Sequence, residues 1–228
     1  MTARELEISE ALSKVEAKIS AAAAAAGRAR SEVTLIAVTK TYPASDVEIL
    51  KNLGIENFGE NRSDEGGQKA AQVPSTWHFQ GQIQSRKLRE IATWASYIHS
   101  LDSFEHAEKL SRICTENDRQ ISIFLQLSLD GAPDRGGVIA SELNYLAEQV
   151  STLPNLKLAG LMCVPPLALE HQQAFSKIAE IHSAFVSRFP EAKLLSAGMS
   201  SDFEEAIKNG ATHIRVGSQI LGSRPYHP

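Results

Sequence analysis

The run Leu35-Ile36-Ala37-Val38-Thr39 is apolar and β-branched, Lys40 follows it directly, and Pro43 ends any further pairing as a central strand. A lone lysine is thereby delivered to the end of a buried strand. An amine there is unfavourable unless an anion pairs with it or its pKa falls, and a desolvated amine of lowered pKa is the form that makes imines with aldehydes. The alternative is an amine that snorkels from the strand end into water.

Two later stretches carry complementary chemistry. Ser196-Ala197-Gly198-Met199-Ser200-Ser201-Asp202 is a small-residue loop entering a helix, and the free N–H groups of a helix start attract anions. Arg215-Val216-Gly217-Ser218 ends a strand with a glycine that permits close backbone approach and a serine hydroxyl. Taken singly, Ser200 and Ser201 are explained as helix caps and Gly217-Ser218 as a turn. Arg215 alternates with Ile214 and Val216, so it shares the inner face with His213 and points a permanent charge inwards, where it needs an acceptor. An Asp or Glu partner would satisfy it, and so would a ligand.

The elements that must position these residues follow from hydrophobic periodicity. An amphipathic helix over 5–26, rich in alanine and ended by Gly27, precedes the first strand. Strands are then expected over 55–58, 76–79, 97–100, 121–128, 157–162, 194–196 and 213–216. Helices are expected between them over 45–52, 65–72, 86–94, 104–116, 141–153 and 169–189. The last helix is opened by Ser201, with Glu204 placed as its capping box, and closed by Gly210. Eight β/α units without a linker predict an α/β fold, a single closed (β/α)₈ TIM barrel spanning 1–228 with an extra N-terminal helix. An open Rossmann-like sheet is the lesser alternative, and no G-x-G-x-x-G follows the first strand to support it. Such barrels react at the carboxyl ends of their strands and commonly bind phosphate after strands seven and eight, where the two small-residue loops fall. A lysine on strand one, an anion cradle and a fixed donor between them match the aldehyde, phosphate and ring nitrogen of pyridoxal 5′-phosphate.

Composition narrows the partners. The 228 residues carry a formal net charge of −4 with no dense Lys/Arg run, which argues against nucleic acid or an anionic membrane surface as partner. Cys114 and Cys163 lie far apart, outside any C-x-x-C spacing, and read as inert core thiols, with no metal site expected. No apolar run reaches signal-peptide or membrane-spanning length, so a cytoplasmic location is expected.

The segments AVTKTYP, FGENRSDE, WHFQGQIQSRK, LAGLMCVPP and LSAGMSSDFEEAIKNGATHIRVGSQILG together resemble the pyridoxal phosphate homeostasis protein family. Its members are single-barrel relatives of the alanine racemase barrel domain, and the likeness covers about residues 33–222. The resemblance implies a fold-type III barrel that holds pyridoxal phosphate covalently, without established turnover, in vitamin B6 and amino-acid homeostasis. It implies Lys40 as the Schiff-base lysine, Arg215 facing the pyridine nitrogen, and Ser200, Ser201, Gly217 and Ser218 at the phosphate. Asn61, His78 and Met162 would line the cofactor pocket; as satisfied buried polar groups, or as ring packing for Met162, they have simpler explanations too. The chain departs from the family pattern at Arg62, Asp64, Gln80 and Arg86, around the pocket mouth.

Carrier and enzyme remain in competition. An arginine cannot accept a hydrogen bond from a protonated ring nitrogen and so keeps it neutral, and Arg215 therefore predicts a weak electron sink. In alanine racemases the second base is a tyrosine from an additional C-terminal domain, whereas this sequence stops at Pro228. A carrier without catalytic residues is therefore expected, a monomer whose partners are pyridoxal phosphate and apo pyridoxal-phosphate enzymes. A racemase-like enzyme of low activity, using Tyr42 or His78 as base, is the alternative, and a Schiff-base aldolase is the third.

Overall fold

The computed structural model describes residues 1–132 and 135–222. Residues 223–228, counted in the barrel by the sequence reading, lie outside the described residues. The strands β1 Thr34–Val38, β2 Asn57–Glu60, β3 Thr76–Phe79, β4 Tyr97–Leu101, β5 Ile121–Leu127, β6 Leu156–Cys163, β7 Leu194–Met199 and β8 His213–Val216 form one closed barrel in chain order. All neighbours are parallel, and β1 meets β8 through Thr34 opposite His213 and Ala37 opposite Val216. The open-sheet alternative is excluded by that closing pair.

The helices are α1 Ala3–Ala25, α2 Ala44–Asn52, α3 Ser63–Gln72, α4 Leu88–Trp94, α5 Phe104–Glu116, α6 Ala140–Ser151, α7 His171–Arg188, α8 Phe203–Lys208 and α9 Ser218–Leu221. Helix α1 starts on a capping box: the Glu5 N–H donates to Thr2 Oγ1 at 3.1 Å and the Thr2 N–H donates to the Glu5 carboxylate at 2.6 Å. It buries Ile8, Leu12, Val15 and Ile19 against α8 and α9, as the 3.6-residue spacing requires. The principal core lies between the strands and this helical ring, and includes Trp77, Leu88, Ile91 and Phe203.

Inside the barrel the inward residues form an aromatic and imidazole layer. His78 stacks on Tyr97 at 4.6 Å between ring centroids, and His99 stacks on Phe124 at 4.4 Å. His213 meets the edge of Phe124 at 5.5 Å. This layer is a floor, and the inward side chains nearer the strands' carboxyl ends stand on it.

Three local expectations are corrected. Strand β2 runs two residues later than read, because its end is a buried glutamate, Glu60, that an ion pair with Lys69 satisfies. The Ser201/Glu204 capping box does not form. Asp202 opens α8 with its buried carboxylate turned back to accept the Met199 N–H at 2.6 Å, while exposed Glu204 pairs with Lys18 at 3.6 Å. Lys40 stands two residues beyond the end of β1, in a turn whose next residue, Thr41, has φ 72°.

Candidate functional site

A cavity of about 550 Å³ opens at the carboxyl ends of the strands. Lys40 enters it from the turn after β1, Asn61 from beyond β2 and Met162 from β6. Ser200 and Ser201 follow β7, while Arg215, Gly217 and Ser218 come from β8 and the start of α9. The structure thus brings these eight residues, from five separate βα units, around one space.

His78 is not among them. It is completely buried one layer down, because alternation along a strand sets which way a side chain faces but not its height along the barrel axis. Two residues further on, at the next inward position, Gln80 reaches the cavity, with its Nε2 buried and unpartnered. His99 also lines the cavity and escaped the sequence reading, although its alternation with Ile98 inside an apolar strand was a usable signal.

Arg215 is held rigidly. Its Nη1 donates to the Ser196 carbonyl at 2.8 Å and to Ser196 Oγ at 2.8 Å, and its Nη2 donates to the Cys163 carbonyl at 3.1 Å. Burial lowers its pKa to about 10, so it remains a cation at neutral pH. From it runs a chain of hydrogen bonds: Ser196 Oγ to His99 Nδ1 at 2.8 Å, His99 Nε2 to His78 Nδ1 at 2.9 Å, and His78 Nε2 to Asn57 Oδ1 at 3.0 Å. The Asn57 amide oxygen can only accept, so His78 donates from Nε2 and accepts at Nδ1, His99 does the same in turn, and the Ser196 hydroxyl, which accepts from Arg215, gives its own proton to His99 Nδ1. Each imidazole then carries its proton on Nε2, and the last donates to the amide oxygen of Asn57. Burial pushes both imidazoles well below the usual histidine pKa, which keeps them neutral as this pattern requires.

The loops after β7 and β8 are tied to each other. The Gly217 N–H donates to Ser200 Oγ at 3.2 Å, and a Cβ at position 217 would stand 3.0 Å from the Val38 carbonyl oxygen. Only a glycine fits there without a shift, which leaves a small-residue cradle between the Lys40 turn and the serines. The expected inert thiols are buried: desolvation pushes Cys114 up to about 11 and Cys163 up to about 12. Among the described residues no cluster of His, Cys, Asp or Glu could hold a metal ion, and no helix is long and apolar enough to cross a membrane.

Residues 11–225 match the alanine racemase N-terminal domain family. The chain is 42% identical to the pyridoxal phosphate homeostasis protein of Corynebacterium glutamicum, over 92% of this chain and 99% of the relative. The chain belongs to the pyridoxal phosphate homeostasis protein family. Its relative of that name in Escherichia coli is 35% identical over 96% of this chain and 98% of the relative. PipY of Synechococcus elongatus, solved with PLP bound, superposes with TM-score 0.82 at 34% identity, covering 94% of this chain and all of PipY. The likeness extends beyond the homeostasis family to an alanine racemase of Clostridium difficile, with TM-score 0.71 at 13% identity over 86% of this chain and 56% of the racemase. At that distance the shared feature is the barrel.

Proposed function

We propose that this protein holds pyridoxal 5′-phosphate as a Schiff base on Lys40 and serves as a carrier in vitamin B6 and amino-acid homeostasis. The observation that carries the proposal is the convergence of Lys40, Arg215 and the Ser200–Gly217–Ser218 cradle on one cavity. The donor set fits the molecule: an amine, a buried cation, hydroxyls and a place where a Cβ would intrude. Bound pyridoxal phosphate supplies an aldehyde, an aromatic ring with one basic nitrogen, and a phosphate.

Lys40 would hold the molecule, its amine condensing with the aldehyde carbon to a C=N bond with loss of one water. Arg215 donates to the ring nitrogen and, having no lone pair to offer, keeps it unprotonated. Ser200, Ser201 and Ser218 donate to the phosphate, and Gly217 leaves it room. Asn61 and Met162 flank the ring. His78 acts from beneath, through His99 and Ser196, on the orientation of Arg215. An unprotonated ring nitrogen makes a poor electron sink, which favours holding the molecule over carbanion chemistry. The name shared by the relatives and the PLP-bound PipY structure agree with this reading. Apo pyridoxal-phosphate enzymes are its proposed recipients, and a cytoplasmic monomer its proposed form.

An absorption spectrum of purified protein, with and without added amino acids, tests this. The protein should be yellow, and Lys40→Ala should lose the visible band. Retention of the band with borohydride trapping at a different lysine overturns the tether. A racemase turnover on the order of 1 per second or more overturns the carrier.

A further inference from the structure

Lys40 is flanked by two residues that are gripped from outside the cavity, by one helix. Lys69 of α3 donates from Nζ to the Thr39 carbonyl at 2.6 Å, to Glu60 Oε1 at 2.7 Å and to Glu65 Oε1 at 2.7 Å. The Thr41 N–H donates to the same Glu65 Oε1 at 2.5 Å. The Thr39 hydroxyl donates to Glu60 Oε1 at 2.6 Å. The carbonyl before Lys40 and the amide after it are therefore both bound, on either side of the residue, by Lys69 and Glu65.

This grip coincides with strained backbone. Thr41, β-branched, sits at φ 72°, a region that such a residue enters only when its surroundings over-determine it. Glu65 Oε1 receives the Thr41 N–H in that conformation, and Lys69 orients Glu65 one helical turn away. Glu60 is fully buried at the end of β2 and Lys69 is almost so, which gives the ammonium a fixed counter-charge and a fixed place. The side chain of Glu65 is 21% exposed and is not part of the core.

We infer that Glu65 and Lys69 of α3 are positioning residues for Lys40, clamping its turn so that its amine is presented to the cavity. The inference rests on the proposed role of Lys40 as the tether. Neither residue lines the cavity, and they act on the ligand only through the backbone on each side of Lys40.

The test compares Glu65→Ala with Glu65→Gln in the full chain. Glutamine keeps an oxygen for the Thr41 N–H, and alanine keeps none. Hydrogen exchange at the Thr41 amide is read in protein stripped of pyridoxal phosphate, and release of pyridoxal phosphate from loaded protein is read from the decay of the visible band on dilution. In Glu65→Ala both should be faster by about tenfold, as for loss of a hydrogen bond to a charged group, and Glu65→Gln should restore most of each. Should Glu65→Ala lower the melting temperature by more than a few degrees, Glu65→Met repeats the test with the aliphatic stem kept in place. Unchanged exchange at Thr41 in a folded variant overturns the clamp, and faster exchange with unchanged release overturns its action on Lys40. If wild-type protein shows no visible band at all, the tether reading falls, and exchange at Thr41 alone then decides whether the turn is clamped.

Discussion

Two buried cations stand near the carboxyl ends of the strands, Lys69 outside the cavity and Arg215 lining it, and they are treated differently. Lys69, on the side of β1 and β2, is matched by two carboxylates, Glu60 and Glu65, both 2.7 Å away. Arg215, between β6 and β8, contacts two carbonyl oxygens and a hydroxyl, and among the described residues no carboxylate lies within ion-pair distance of it. Asp202 attracts it only from further off. A cation paired with carboxylates has its charge spent within the fold, whereas one held by neutral acceptors is oriented while its field stays available to a ligand. Lys69 therefore belongs to the architecture of the Lys40 turn, and Arg215 faces the cavity ready for an electron-rich atom.

The largest expected effect falls on the paired cation. Lys69→Met leaves Glu60 buried without its partner and should cost about 3–5 kcal/mol of unfolding free energy, measured by denaturant titration of protein without ligand. The double variant Glu60→Met/Lys69→Met, which removes both charges, should regain much of that loss. A Lys69→Met protein as stable as wild type would end the distinction between the two cations.

Acid should weaken the Arg215 side selectively. His213 is lowered by burial to about 4, from an ordinary 6.5, and His78 and His99 are lowered as well. A histidine depressed in the folded state binds its proton more readily when unfolded, so the stability it contributes is present above pH 6.5 and is lost as pH falls towards 4. For His213 alone that is on the order of 3 kcal/mol. Glu60 runs the other way, since burial raises its pKa and its protonation under acid favours the folded state. Melting temperatures recorded from pH 7 to pH 4 should fall, and His213→Gln, which cannot titrate, should flatten part of the slope. A flat profile in wild type would mean that the imidazole layer is not buried neutral.

What the sequence disclosed follows the same division. The inward aim of Arg215 was legible because alternation with Ile214 and Val216 is a local property, and β3, α5 and β8 lie where periodicity put them. The clamp was not legible: Glu60 lies beyond the strand expected over 55–58, and Lys69 sits in a helix diluted by Gly66 and Gly67. Only folding brings those two charges together, and no single window contains the reason that either is buried. His78 shows the intermediate case, with its facing correct and its depth wrong by one inward step, because depth depends on strand tilt and shear across the whole barrel.

Arg215→Met should have a smaller effect on stability than Lys69→Met, about 1–2 kcal/mol, since two carbonyls lose a donor while a desolvation cost is removed. Its main effect should be on retention of pyridoxal phosphate, read as faster decay of the visible band. A stability loss equal to that of Lys69→Met would show Arg215 to be as structural as its counterpart.

The smallest effects are expected at the serines, where they separate cradle from scaffold. Ser200 Oγ already accepts the Gly217 N–H, so its own proton is left to donate. Ser200→Ala therefore removes a loop tie as well as the proposed donor to the phosphate, at about 1 kcal/mol of stability. Ser218 is exposed at the start of α9, and Ser218→Ala should leave the melting temperature within about a degree. Each change should speed release of pyridoxal phosphate about fivefold, the scale of one net hydrogen bond. If Ser218→Ala alone leaves release unchanged, the phosphate leans on the β7 loop; if neither change alters it, the phosphate sits elsewhere, and Arg215 loses the neighbour that gave its unspent charge a direction.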